Sequence, residues 1–206
     1  TATEGNTLIA NGASVADGDG LGTFSYVWLR DDESFGATGS IYTLTADDIG
    51  SEISVQLEYL DGEGSLETLV SAPTNPVKNT NDPVVGAVTL SGTAIEGNTL
   101  SASTAALSDA DGLGPISLVW LRDGVETAQT GANYTLGAAD IGAQMSVRAS
   151  YVDGYGTAEN TVSSATMPVE NRNDLPAGVV TIEGLLVEGG TVSANTSSLT
   201  DADGLG

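Results

Sequence analysis

From Ile53 to Tyr59 apolar and polar side chains alternate: Ile53, Val55, Leu57 and Tyr59 interleave with Ser54, Gln56 and Glu58. A period of two describes a strand with one buried and one wet face. The same alternation returns further along as Met145, Val147, Ala149 and Tyr151. The stretches FSYVWLR (Phe24 to Arg30) and ISLVWLR (Ile116 to Arg122) are more continuously apolar, which suggests a central strand whose Trp fills a core. Gly, Asp and Asn punctuate these runs every 8–12 residues or so, the spacing of short strands joined by turns. Between residues 83 and 174 strands are expected near 87–93, 98–104, 116–122, 126–129, 133–137, 144–152 and 158–169. About seven antiparallel strands with a central Trp predict an all-β fold, an immunoglobulin-like or cadherin-like sandwich. A barrel needs no central Trp, and β-helix repeats are much shorter.

The pattern is duplicated. EGNTL begins at Glu4 and again at Glu96, and the variant EGGTV begins at Glu188, a constant step of 92 residues. The same step relates Trp28 to Trp120, Arg30 to Arg122, Tyr42 to Tyr134 and Asp61 to Asp153. Over half the positions from Glu4 to Asp82 recur unchanged, without insertion or deletion. Cutting at the Asn-Asp pairs predicts one repeat over 1–82, a second over 83–174 and the N-terminal part of a third over 175–206. The first lacks the lead-in GAVTLSGTA that opens the second (Gly86 to Ala94), so both ends are expected to be cuts through a longer array. Arrays of this kind gain stability from neighbour contacts, and the partners expected first are neighbouring repeats of the same chain.

Charge narrows the function. The 28 acidic residues face 5 basic ones, a net charge of −23 with no histidine. That balance repels nucleic acid and anionic membranes and attracts cations. With no Cys and no His, zinc and copper lose their preferred N and S ligands. Carboxylate, amide and carbonyl oxygens remain, the ligand set of Ca2+. No run approaches the roughly 20 apolar residues of a membrane span, so no direct membrane insertion is expected. The missing Cys and His also remove the usual nucleophile–base pairs, and the chain is expected not to be an enzyme.

The acidic residues recur in loops. DGDGLG (from Asp17), DADGLG (from Asp109) and DADGLG (from Asp201) would follow the second strand of each repeat, and DGEG and DGYG (from Asp61 and Asp153) the sixth. In an immunoglobulin-like sandwich those loops share the pole that faces the preceding repeat. EGN and the linkers NTND and NRND lie at the other pole. At the first junction Glu4, Asn81, Asp82, Asp109, Asp111 and Asp153 are therefore expected to converge. The second is expected to repeat the set as Glu96, Asn173, Asp174, Asp201 and Asp203. Carboxylates so close repel one another unless a cation sits among them, and an Asp-x-Asp-Gly loop suits calcium's sharply turned ligand loops.

With these residues in view, the linkers NTNDP and NRNDLP resemble the calcium-binding junctions of cadherins, which carry a D-x-N-D-N-x-P pattern. Asn79 and Asn171 stand where cadherins have Asp, and the second Asn is missing. The full order DADGLG, WLRDG, YTL..ADIG and Y.DG.G more closely resembles the bacterial Ig-like repeats of giant calcium-dependent surface adhesins of the RTX type. That resemblance spans the whole chain. It implies extender repeats in an extracellular, cell-surface or secreted adhesin, stiffened by Ca2+ at each junction. The alternative is a carbohydrate- or surface-binding module, marked by exposed aromatics or a cleft in one repeat that its neighbour lacks, to be sought at 31–41 and 123–133, where the copies differ most. Asp48 and Asp140 are expected to have a structural role, pairing with Arg30 and Arg122.

Overall fold

The computed structural model describes residues 1–205, and it divides into two compact units, Thr1–Asp82 and Pro83–Gly206. Both are built from antiparallel strands; among the described residues the helical content is a pair of single 3-10 turns at Ala46–Asp48 and Ala138–Asp140.

The first unit contains β1 (Thr7–Ile9), β2 (Ser25–Arg30), β3 (Glu33–Thr38), β4 (Ile41–Thr43), β5 (Ile53–Leu60) and β6 (Leu66–Val70). One sheet has the order β3-β2-β5-β6 and the other is the pair β1-β4. The hairpin from β2 to β3 turns on Asp31 and Asp32, both at positive φ (49° and 67°), the two-residue turn whose twist matches its strands. Asp31 also accepts the Glu52 amide at 2.9 Å, tying that turn to the start of β5.

The second unit runs through β7 (Thr89–Ser91), β8 (Thr99–Ser103), β9 (Ser117–Arg122), β10 (Val125–Thr130), β11 (Asn133–Thr135), β12 (Met145–Val152) and β13 (Ala158–Val162). Its sheets are β10-β9-β12-β13 and β11-β8-β7. The core lies between them: Leu100 and Tyr134 from one sheet meet Trp120, Met145, Val147 and Ala149 from the other, with Val88 and Leu136 beside them. A further hairpin, β14 (Thr181–Gly184) with β15 (Val192–Asn195), forms a sheet of its own.

The strand expected over 158–169 is shorter, ending at Val162. Beyond it, side-chain hydroxyls replace carbonyls as acceptors. The Val147 amide donates to Ser163 Oγ and the Met145 amide to Thr166 Oγ1, both at 3.0 Å. Pro168 has no amide to donate, and regular pairing gives way to single bridges at Val169 and Glu170. Ser71 and Thr74 do the same for Val55 and Ile53 in the first unit.

Candidate cation-binding loops

At one end of the second unit two acidic loops are latched together. Gly154 donates its amide to the Asp111 carbonyl at 3.0 Å. A Cβ on Gly154 would lie 2.5 Å from that oxygen, so only glycine permits the approach. Asp109 Oδ1 caps the Asp111 amide at 2.8 Å, and its Oδ2 accepts the Tyr151 hydroxyl, which also reaches Glu159 Oε2 at 3.2 Å. Burial and these two carboxylates push the Tyr151 phenol up from its ordinary range. Glu159 Oε2 in turn accepts the Val84 amide at 2.7 Å.

Asp111 and Asp153 are both buried. Asp153 Oδ1 accepts the amides of Thr157 (2.8 Å) and Tyr155 (2.9 Å). Its Oδ2 is buried and has no hydrogen-bond partner. Burial works to raise the Asp153 pKa, but the amides from Thr157 and Tyr155 outweigh it and hold the carboxyl below the usual range. The Thr157 hydroxyl lowers it as well, and the buried Oδ2 is the oxygen of Asp153 open to a further hydrogen-bond donor or a cation.

A second cluster forms where three segments of the same unit meet. Carboxylate oxygens of Glu96, from the turn before β8, Asp174, from the NRND stretch, and Asp203, from the loop after β15, lie within 4.8 Å of one another. Asn171 Nδ2 donates to Asp203 Oδ1 at 3.0 Å and the Asp174 amide to Oδ2 at 2.7 Å. Each carboxylate pair at this range repels by about 1 kcal/mol in water, and several-fold more where water is excluded. Arg172 and Asp174 line one groove of about 530 Å3 beside Glu96 and Gly97. Arg172 belongs to none of the three ion pairs among the described residues.

The other expected ligands make local hydrogen bonds. Asp201 Oδ1 caps the Asp203 amide at 2.9 Å, and Asn173 Nδ2 donates to the Asp174 carbonyl at 2.8 Å. Asp201 is not part of the Glu96–Asp174–Asp203 group, whereas Asn173 lines the same groove as Glu96 and Asp174. In the first unit Glu4 Oε2 accepts the Thr80 amide at 3.4 Å, Thr80 Oγ1 donates to the Glu4 carbonyl at 3.1 Å, and Asn81 donates to the Asp82 carbonyl at 3.4 Å. Glu4, Asn81 and Asp82 thus gather at the end of that unit, and Asp109, Asp111 and Asp153 at one end of the other.

Sequence reasoning missed Tyr151, Glu159, Asn171 and Arg172. The Tyr occupies a core-facing alternation position, and only its hydroxyl reaches the acidic loop. Glu159 sits directly opposite Tyr151 in the β12–β13 ladder, the pairing that could have revealed it.

Asp48 and Asp140 are buried structural carboxylates, as their place below the Trp strand predicts. Asp48 Oδ1 accepts Arg30 Nε and Nη2 at 2.9 and 2.6 Å. Its Oδ2 accepts the Tyr42 hydroxyl at 2.7 Å and the Thr45 amide at 2.8 Å. Asp140 repeats the arrangement with Arg122, Tyr134 and the Gly137 amide. The aromatics Trp28 and Trp120 are buried, each donating its indole N–H to a backbone carbonyl at 2.9 Å.

No protein-family model matches the chain, and no curated protein resembles it in sequence. Among the described residues no helix is long and apolar enough to cross a membrane.

Proposed function

We propose that the chain is a run of tandem immunoglobulin-like extender repeats from an extracellular adhesin, each about seven strands when complete, and that Ca2+ bound at the junctions stiffens the array. The observation that carries this reading is the convergence of Glu96, Asp174 and Asp203. A turn, a linker and the next repeat's loop each deliver one carboxylate to a common point. All three donors are hard oxygens and no His or Cys is present, which favours calcium over zinc or copper. The unpaired buried oxygen of Asp153 supports the same chemistry at the equivalent acidic loops of the preceding repeat boundary.

The mechanism is electrostatic. Without a cation the carboxylates repel and the linker swings; a shared cation cancels the repulsion and ties the loop to the linker. The protein's task is then mechanical, holding a distal binding domain away from its anchor. For the carbohydrate-binding alternative, a groove does lie along Val125–Gln129, but its one aromatic, Tyr134, is buried. Phe35, in the stretch where the copies differ, lies under the Arg30 guanidinium at 4.5 Å and packs on Tyr42.

Calcium titration tests the reading. A ligand at 100 times its Kd stabilises the state it binds by about 2.7 kcal/mol, a shift of several degrees in Tm for units of this size. Calcium is expected to raise the Tm and lengthen the particle in small-angle scattering, and the triple variant Glu96→Gln, Asp174→Asn, Asp203→Asn to blunt both effects. If neither calcium nor EDTA changes Tm or length, the reading fails.

A further inference from the structure

Each Asp-x-Asp loop makes the same internal bond. Asp109 Oδ1 caps the Asp111 amide at 2.8 Å, Asp17 Oδ1 the Asp19 amide at 3.0 Å, and Asp201 Oδ1 the Asp203 amide at 2.9 Å. In the first two loops a tyrosine holds the other oxygen of that leading aspartate. Tyr151 donates its hydroxyl to Asp109 Oδ2, and Tyr59 donates to Asp17 Oδ2 at 2.7 Å. The leading aspartate is thus bonded by the protein at both oxygens, and the second rides on the amide that the first one caps.

The tyrosine is a well-anchored donor. Tyr151 is buried on β12 and stands opposite Glu159 in the β12–β13 ladder. Its hydroxyl is 3.2 Å from Glu159 Oε2, which also accepts the Val84 amide at 2.7 Å. Asp109 Oδ2 is therefore drawn toward that ladder. Among the described residues, Asp109, Asp111 and Asp153 do not gather within the 4.8 Å that joins Glu96, Asp174 and Asp203. In that last group the second aspartate of the loop, Asp203, takes part and the leading one, Asp201, does not.

Beside the Asp109 loop stands a carboxylate oxygen with nothing to accept from. Asp111 and Asp153 are each 7% exposed, and the Gly154 amide ties their two loops together through the Asp111 carbonyl at 3.0 Å. Asp153 uses Oδ1 for the Tyr155 and Thr157 amides, while its Oδ2 is buried without a hydrogen-bond partner. An orphaned buried acceptor of this kind is rare in proteins and is satisfied by a donor or by a cation.

We infer that the aspartates of these loops have different tasks: Asp111 and Asp153 ligate the cation, while Asp109 and Tyr151 position Asp111 and touch no cation. The inference rests on the calcium reading above and assigns the roles within it. With Asp111 held before the cation arrives, less of the loop has to be ordered on binding. Tyr59 and Asp17 stand in the same relation to Asp19 in the first unit. Removing supporting hydrogen bonds of this outer kind weakens metal binding by about 10–100-fold while the ligands themselves stay in place.

Isothermal titration calorimetry of calcium into the whole chain tests the division of roles. Asp111→Asn and Asp153→Asn are each expected to bind one calcium fewer than the wild type. Asp109→Asn and Tyr151→Phe are expected to bind the same number, one of them about 10–100-fold more weakly. A tyrosine that only filled the core would leave that affinity unchanged. Carbon NMR of the aspartate carboxyls in the wild-type chain asks the same question without any variant. Calcium is expected to shift the Asp111 and Asp153 resonances and to leave that of Asp109 in place. Four results overturn the inference: a calcium lost outright in Asp109→Asn, wild-type affinity in Tyr151→Phe, an unchanged count in Asp111→Asn or Asp153→Asn, or an Asp109 shift as large as that of Asp111. In all four the chain still binds calcium and the reading of its function stands. A wild-type chain that binds no calcium overturns both.

Discussion

Asp47 and Asp48 are adjacent aspartates with opposite surroundings, and replacing each with Ala measures what burial does to a carboxylate here. Asp47 is exposed; Asp48 is fully buried and accepts from Arg30, Tyr42 and Thr45. Removing Asp48 strands the Tyr42 hydroxyl and the Thr45 amide, each costing about 1 kcal/mol or more when left unpaired. It also leaves Arg30 without its counter-ion. Breaking a buried ion pair costs about 3–5 kcal/mol, but the Arg30 side chain is 27% exposed and water can recover part of that. The total expected for Asp48→Ala is about 3 kcal/mol, a fall of roughly 10–20 °C in the melting of the first unit. Asp47→Ala is expected to stay within about 0.5 kcal/mol. Burial raises the Asp48 pKa, yet the Thr45 amide, the Tyr42 hydroxyl and Arg30 together lower it below the ordinary aspartate range. A depressed carboxyl stabilises the fold above the unfolded-state pKa, near 4, and loses that contribution as pH falls further. Differential scanning calorimetry of wild type and both variants between pH 7 and about pH 3 reads all of this. The wild-type advantage over Asp48→Ala should hold at pH 7 and shrink below about pH 4. Equal melting of the two variants at pH 7 would refute the assignment of Asp48 as a structural anchor.

Gly114→Ala would place a Cβ 2.1 Å from the Val152 carbonyl oxygen, a backbone clash that should cost about 2 kcal/mol or more by chemical denaturation. Gly137→Ala, with nothing within 4 Å, should change the same measurement by less than about 0.5 kcal/mol. The Tyr59 hydroxyl donates to Asp17 Oδ2 at 2.7 Å, which with burial pushes its pKa up to about 12. The unfolded chain ionises first, so the stability from this bond holds below about pH 10 and drains away between 10 and 12. Ultraviolet titration of Tyr59→Phe should lack a step near pH 12 that the wild type shows; an unchanged titration refutes it.

The strands were legible because each carries its own alternation, and their observed bounds differ from the expected ones mainly where side chains interfere. The last strand is the clearest case. Ser163 and Thr166 read as ordinary polar positions, but their hydroxyls take over amides of β12 and end the regular ladder. The Arg–Asp pairs were legible because Arg30 and Arg122 end the Trp strands one repeat apart, each with an Asp eighteen residues on. The acidic loops were legible only in part. Spacing brought Glu96, Asp174 and Asp203 into one group, yet it could not tell a carboxylate facing that group from one turned back on its own backbone. Asp201 and Asp203 are two letters apart in one motif, and the first caps the second. Such choices rest on rotamers and on who else needs an acceptor, neither of which has a period.

The acidic residues therefore have three distinct fates, and the net charge of −23 conceals them. Asp48 and Asp140 are neutralised inside the protein by arginine. Asp201 turns one oxygen back onto a backbone amide of its own loop. Glu96, Asp174 and Asp203 are brought close to one another, and the second oxygen of Asp153 is buried, with none of the three ion pairs of the described residues reaching them. Only five basic residues exist, and three arginines are already committed to Asp48, Asp140 and Glu126. Lys78 and Arg172 are too few to compensate what remains. Cation dependence, rather than any feature of the cores, is therefore the property that would most directly separate the proposed extender array from an ordinary acidic sandwich.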